Sequence, residues 1–122
     1  MEVDVADRRN DNSLTVTSRP QGQAMVVTPV GDVDLTASPL LRQELKKVQG
    51  ARPGRIIVDL GQVGYMDSSG LATLVEAMQQ ARKTGARIVL CALTSRVRSI
   101  IEIARLDSVF VIAGTVDESL TA

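Results

Sequence analysis

Asp67-Ser68-Ser69-Gly70 sets a carboxylate, two hydroxyls and a glycine side by side. The tetrad falls between an apolar run, Ile56-Ile57-Val58-Asp59-Leu60, and an amphipathic stretch, Leu71 to Ala81. Two kinds of chemistry suit such a corner. A serine oxygen there can accept hydrogen bonds from the free N–H groups of a helix's first turn. A serine hydroxyl there can also serve as nucleophile or phosphoacceptor, because a helix N-terminus favours an anion. Serine is a poor nucleophile without an adjacent base, and the chain has no histidine. That absence excludes a Ser-His-Asp triad, a Cys-His pair and a histidine-ligated zinc site within the chain. The one cysteine, Cys91, cannot form an intrachain disulfide, and after Arg87-Ile88-Val89-Leu90 it reads as a small buried hydrophobe. Walker-type and dinucleotide-type glycine loops are absent. The chain is therefore expected to have no catalytic residues, no metal and no cofactor, and to be no enzyme. Nucleophilic or phosphoacceptor chemistry at either serine would have to be supplied by the active site of another protein.

The elements that would hold this corner follow from periodicity. Leu14 and Val16 alternate with polar neighbours and suggest a short strand ending near Ser18. Arg19-Pro20-Gln21-Gly22 reads as a turn, and Ala24 to Val30 as a second strand whose Pro29 suits an edge. Gly31-Asp32-Val33-Asp34 follows. Thr36 or Ser38 is expected to cap a helix beginning near Pro39, with Leu40, Leu41, Leu45 and Val48 on its apolar face. Ile56 to Leu60 is a β-branched central strand. Leu71, Leu74, Val75 and Met78 recur at helical spacing, and Thr84-Gly85 stops that helix. Ile88 to Cys91 is a fourth strand. Ser95 is expected to cap a helix with the stripe Val97, Ile100, Ile101 and Ala104. Val109 to Ile112 and Val116 to Leu120 complete the pattern as a strand and a short helix. The order β-β-α-β-α-β-α-β-α implies an α/β fold: a mixed, mainly parallel sheet of about five strands with about four helices.

Composition narrows the function. The 122 residues suffice for one hydrophobic core. A formal net charge of zero lacks the electrostatic footprint of a nucleic-acid binder. Tyr65 and Phe110 are the only aromatics, too few for a base-stacking platform. No apolar run approaches the ~20 residues of a membrane span, and Met1 to Arg9 has no apolar signal core. No nucleic acid, no membrane and a cytoplasmic location are expected. Residues 1–12 are polar and charged and read as a flexible N-terminus.

In this setting, Val63-Gly64-Tyr65-Met66-Asp67-Ser68-Ser69-Gly70-Leu71 resembles the signature of the bacterial STAS-domain anti-sigma-factor antagonists. Gly31-Asp32-Val33-Asp34 resembles the family's second acidic corner, and Ser95 to Glu102 its third helix. The resemblance runs from about Leu14 to Leu120 and implies one STAS domain over residues 13–122. It implies a partner that is both anti-sigma factor and ATP-dependent serine kinase. The unphosphorylated antagonist holds that kinase, the sigma factor goes free, phosphorylation of Ser68 ends the binding, and a PP2C-like phosphatase resets the switch. Asp34 matches an acidic position supporting partner binding and phosphorylation, and Asp67 the signature's leading aspartate; Ser68, Ser69, Gly70 and Leu71 complete the implied partner surface. A monomer or weak dimer is implied. The family often has glycine directly after the third helix, whereas Ala104-Arg105-Leu106-Asp107 contains none. Either Arg105 takes the left-handed turn, or the helix ends differently.

A phosphate on Ser68 would add about −1.5 to −2 charges. At a helix N-terminus its local effect is expected to favour the helix, so release would come from desolvation and like-charge cost at the partner interface, with little refolding. The STAS resemblance also permits two other roles: a scaffold subunit of a STAS sensory assembly, or a soluble STAS subunit of a lipid transporter.

Overall fold

The computed structural model describes residues 13–122, and residues 1–12, with the expected flexible terminus, lie outside the described residues. The elements run β1 (Thr15–Gln21), β2 (Ala24–Val30), α1 (Ser38–Gly50), β3 (Arg55–Asp59), α2 (Ser68–Thr84), β4 (Arg87–Cys91), α3 (Ser95–Ile103), β5 (Val111–Ala113) and α4 (Val116–Ser119). The strands lie in the sheet in chain order. β1 and β2 form an antiparallel hairpin, and β2 to β5 are parallel.

That order dictates where the helices go. Parallel strands laid down in sequence, each joined by a right-handed crossover, send every crossover helix to the same face. Val27, Ile56, Val58 and Leu90 accordingly join Leu41 and Leu45 of α1, Leu74 of α2 and Val97 and Ile101 of α3 in one core. The alternate strand residues, Val26, Ile57 and Cys91, face the other way and meet Val116 and Leu120 around α4. Cys91 is fully buried there, and burial raises its thiol pKa.

Several local expectations are corrected. The first turn is Gly22–Gln23, closed by the pair Gln21 and Ala24. Gly22, at φ 61°, supplies the left-handed conformation that two-residue hairpin turns require. Pro20 thus lies inside β1, an edge strand, where a missing N–H is tolerated. Pro29 lies on the second strand and not at the sheet edge, yet pairing with β3 stops at Val27 and Val58, so no ladder is broken. Leu40 is 43% exposed and leaves the buried stripe to Leu41, Leu45 and Val48. Neither Thr36 nor Ser38 caps α1; Ala37 stands at its N-cap without a side-chain bond, and Asp34 serves the turn instead. Thr94, not Ser95, caps α3. The last strand starts at Val111, because the N–H groups of Val109 and Phe110 are both drawn to the Leu106 carbonyl (3.0 Å each).

Arg105 does take the left-handed turn after α3, at φ 60°. Its N–H bonds to Glu102 O and that of Leu106 to Ile101 O (2.9 Å each), the double closure that ends a helix on a left-handed residue. Gly85 closes α2 the same way at φ 76°.

Candidate functional site

The loops after β2 and β3 emerge at the carboxyl ends of neighbouring parallel strands, where α/β sheets place their binding sites. The backbone clips them together. Gly31 N–H donates to Gln62 O (3.0 Å), Val33 N–H to Tyr65 O (3.0 Å), and Asp67 N–H to Val33 O (3.2 Å). Val33 and Met66, both fully buried, form a parallel bridge at the centre of this clip. Asp34 and Leu35 are thereby carried to Asp67 and Ser68.

Gly70 is needed for the two loops to close. A β-carbon at that position would lie 2.5 Å from Met66 Cγ and 2.9 Å from the Val33 carbonyl oxygen. The second contact is with backbone and cannot be relieved by a rotamer change. Glycine inside a helix normally costs stability, and here it permits the Val33 loop to sit against the first turn of α2.

Asp67 is the cap of α2, the role that sequence reasoning left to the serines. Its Oδ1 accepts from Ser69 N–H (2.9 Å), Gly70 N–H (3.3 Å) and the Ser69 hydroxyl. Its Oδ2 accepts from Leu35 N–H (3.0 Å) on the other loop. One carboxylate thus satisfies the helix N-terminus and pins the neighbouring loop. The Ser69 hydroxyl, most of all, lowers the Asp67 pKa; partial desolvation opposes it, and the N–H groups of Gly70, Ser69 and Leu35 add to the lowering.

The serine pair is divided by these contacts. Ser69 spends its hydroxyl on Asp67, and its carbonyl accepts from Thr73 Oγ1 (3.0 Å). Ser68 is exposed, and its hydroxyl has no partner among the described residues. Asp34 is half-buried; its Oδ1 accepts from Ala37 N–H (2.9 Å), and its carbonyl oxygen from Ala37 and Ser38 N–H. Leu71, expected at the partner surface, turns into the core with 8% exposure. The residues brought to one solvent-facing corner are therefore Asp34, Asp67, Ser68 and Ser69, with Gly70 and Leu71 beneath them.

Sequence reasoning missed Leu35, which is 74% exposed beside this corner. Its only signal was a leucine set between the polar residues Asp34 and Thr36 in the loop from β2 to α1. Tyr65, 39% exposed, borders a shallow groove with Arg96 and Ile100 of α3. Among the described residues no group of three or more His, Cys, Asp or Glu side chains converges as metal ligands, and no helix is long and apolar enough to cross a membrane.

The family model described as STAS domain matches residues 15–119. BtrV of Bordetella bronchiseptica is 32% identical over 68 residues, 56% of this chain and 59% of that protein, so the chain spans less than two thirds of that relative. The anti-sigma-B factor antagonist of Bacillus subtilis is 27% identical over 111 residues, 89% of each chain. The crystal structure of an anti-sigma factor antagonist from Mycobacterium paratuberculosis superposes with a TM-score of 0.83 at 26% identity, covering 90% of this chain and 93% of that one.

Proposed function

The chain belongs to the STAS domain family, and on that premise we propose that it is an anti-sigma-factor antagonist switched off by phosphorylation of Ser68. In its unphosphorylated form it binds an anti-sigma factor that is also a serine kinase, and the sigma factor goes free. ATP and Mg²⁺ belong to that kinase, and a PP2C-like phosphatase restores the binding form. Asp34, Asp67, Ser68 and Ser69 face the partner, and Gly70 and Leu71 hold them there. The chain is a binding regulator and not an enzyme, and it acts in the cytoplasm.

The observation that carries this reading is the division of labour in the tetrad. Asp67, Ser69 and Gly70 are each committed to holding the corner, while Ser68 alone presents a free, exposed hydroxyl. The same contacts supply the switching physics. The N–H groups of Ser69 and Gly70, which would otherwise receive an anion at this helix N-terminus, are held by the Asp67 carboxylate. A phosphate on Ser68 is therefore left facing outward beside Asp67 and Asp34, and the stabilisation of α2 expected from its sequence position is small. Swinging occupancy from 99:1 to 1:99 takes a ~10⁴-fold difference in affinity. Ordinary surface ion pairs, at ~0–1 kcal/mol, fall short of that scale. Desolvating a phosphate dianion against like charges at an interface reaches it.

Titration calorimetry of the wild-type chain against each anti-sigma factor of its source organism, before and after phosphorylation, tests the reading. The unmodified chain is expected to bind one of them, the phosphorylated chain to lose that binding by orders of magnitude, and Ser68→Ala to stay bound in the presence of Mg-ATP. Equal affinity of the two forms would refute the switch.

A further inference from the structure

Leu35 and Ile103 are the two most exposed large hydrophobic residues among those described, at 74% and 82%. Isolated exposed apolar residues are ordinary and need no function. Ile103, at the last position of α3, fits that description. Leu35 does not. Its N–H is bonded to Asp67 Oδ2 (3.0 Å). The residues before it are clipped to the β3–α2 loop through Val33, and the residue two places after it is fixed by Asp34 Oδ1. A leucine on a mobile loop loses much of its binding gain in ordering, whereas one held on a preformed loop does not. The same carboxylate that pins Leu35 also caps the helix bearing Ser68, so the two side chains share one support.

Resting on the phosphoswitch reading above, we infer that Leu35 is the apolar anchor of the Ser68 corner, inserting into an apolar pocket of the anti-sigma factor. The occupant follows from position. Any partner active site that closes over the Ser68 hydroxyl must also cover the neighbouring loop, and Leu35 is its protruding residue. Buried anchors ringed by polar contacts are where interfaces concentrate their affinity; here the ring is Asp34, Asp67 and Ser68. This placement also sharpens the switch. A phosphate on Ser68 puts a hydrated dianion at the rim of the pocket that must dry to receive Leu35, so phosphorylation and leucine burial oppose each other directly. Asp67 is the positioning residue for both.

The test is titration of the full chain against the anti-sigma factor it binds, with Leu35→Ala, Leu35→Met, Ile103→Ala and Ser68→Glu, alongside a thermal melt of each and gel filtration of wild type and Leu35→Ala. Burying a leucine at an interface corresponds to a loss of about 10- to 100-fold for Leu35→Ala. Leu35→Met is expected to recover most of that affinity, Ile103→Ala to bind as wild type, and every melt to stay near wild type. Undiminished binding by Leu35→Ala, with Ser68→Glu inactive, overturns the anchor and leaves the phosphoswitch standing. Binding lost equally in Ile103→Ala overturns it as well. A change in self-association and not in anti-sigma binding assigns Leu35 to a second copy of the chain and overturns it too. Ser68→Glu binding as wild type refutes the switch independently, while a selective Leu35→Ala loss would still establish the anchor.

Discussion

The N-terminal corners of α2 and α3 are written in the same local grammar and end as different devices. Each follows a parallel strand, and each has a cap residue followed by an exposed serine in the first helical position: Asp67-Ser68 in one, Thr94-Ser95 in the other. At α3 the Thr94 hydroxyl accepts from Val97 N–H (3.5 Å) and donates to Val63 O (2.9 Å). At α2 the Asp67 carboxylate accepts N–H groups from the helix and from the loop after β2, and glycine lets that loop close in. A cap and a serine make a helix start. Two loops clipped through a charged cap make a rigid presentation site. Both caps touch a neighbouring loop, and the difference is the backbone bridge and close approach at Gly70 that lock the two loops at α2 together.

The largest effect that would break the contrast is Gly70→Ala. Its β-carbon would collide with Met66 and the Val33 backbone, and overpacking of this kind costs about 1–3 kcal/mol. The ~1 kcal/mol of helix propensity gained from alanine offsets part of that. A net destabilisation of up to about 2 kcal/mol in urea unfolding is expected. A stabilised variant would mean the two loops are not closed together.

Next in size are the caps themselves. Replacing a capping side chain by alanine costs about 0.5–2 kcal/mol. Asp67→Ala is expected at the upper end, because it also frees Leu35, and Thr94→Ala at the lower. The two also differ in pH dependence. The Asp67 pKa is lowered in the folded chain below the ordinary carboxylate value, chiefly by the Ser69 hydroxyl. Its stabilising contribution is therefore fully present above that value and is lost as pH falls through the depressed folded-state value. Urea melts from pH 6 downward should show Asp67→Asn losing less stability with acid than wild type, and Thr94→Ala following wild type. Parallel profiles for all three would remove Asp67 from the account.

The smallest effect compares the far ends of the same helices. Arg105 and Gly85 occupy matching left-handed positions, but only Gly85 does so without a β-carbon clash. Arg105→Gly is expected to stabilise the chain by about 0.5–1 kcal/mol, and Gly85→Ala to destabilise it by a similar amount.

Much of this architecture was legible in the sequence. Period-two and helical apolar patterns placed all the elements in order, and β-α alternation implied the parallel sheet. The tetrad stood out because polar, small and glycine residues met at a strand-to-helix boundary. The caps were less legible because Thr36, Ser38, Asp34, Ser68, Ser69 and Asp67 are all competent cap residues. Which one serves depends on where the chain folds back, and Asp67 prevailed because it reaches N–H groups of α2 and of the loop after β2 at once. Leu35 was invisible for the opposite reason: an apolar residue in a loop is expected to find a core, and exposure is a tertiary outcome. The shift of the final strand followed from the Leu106 carbonyl, which takes the N–H groups of Val109 and Phe110, and apolar residues at those positions do not announce such a turn.

The central claim is that Ser68, and not the similarly placed Ser95, is the acceptor. The direct measurement is intact mass after incubation with the partner kinase and Mg-ATP, on wild type, Ser68→Ala and Ser95→Ala. One added phosphate on wild type and Ser95→Ala, with none on Ser68→Ala, is the predicted result. A phosphate that survives Ser68→Ala or disappears in Ser95→Ala would contradict it.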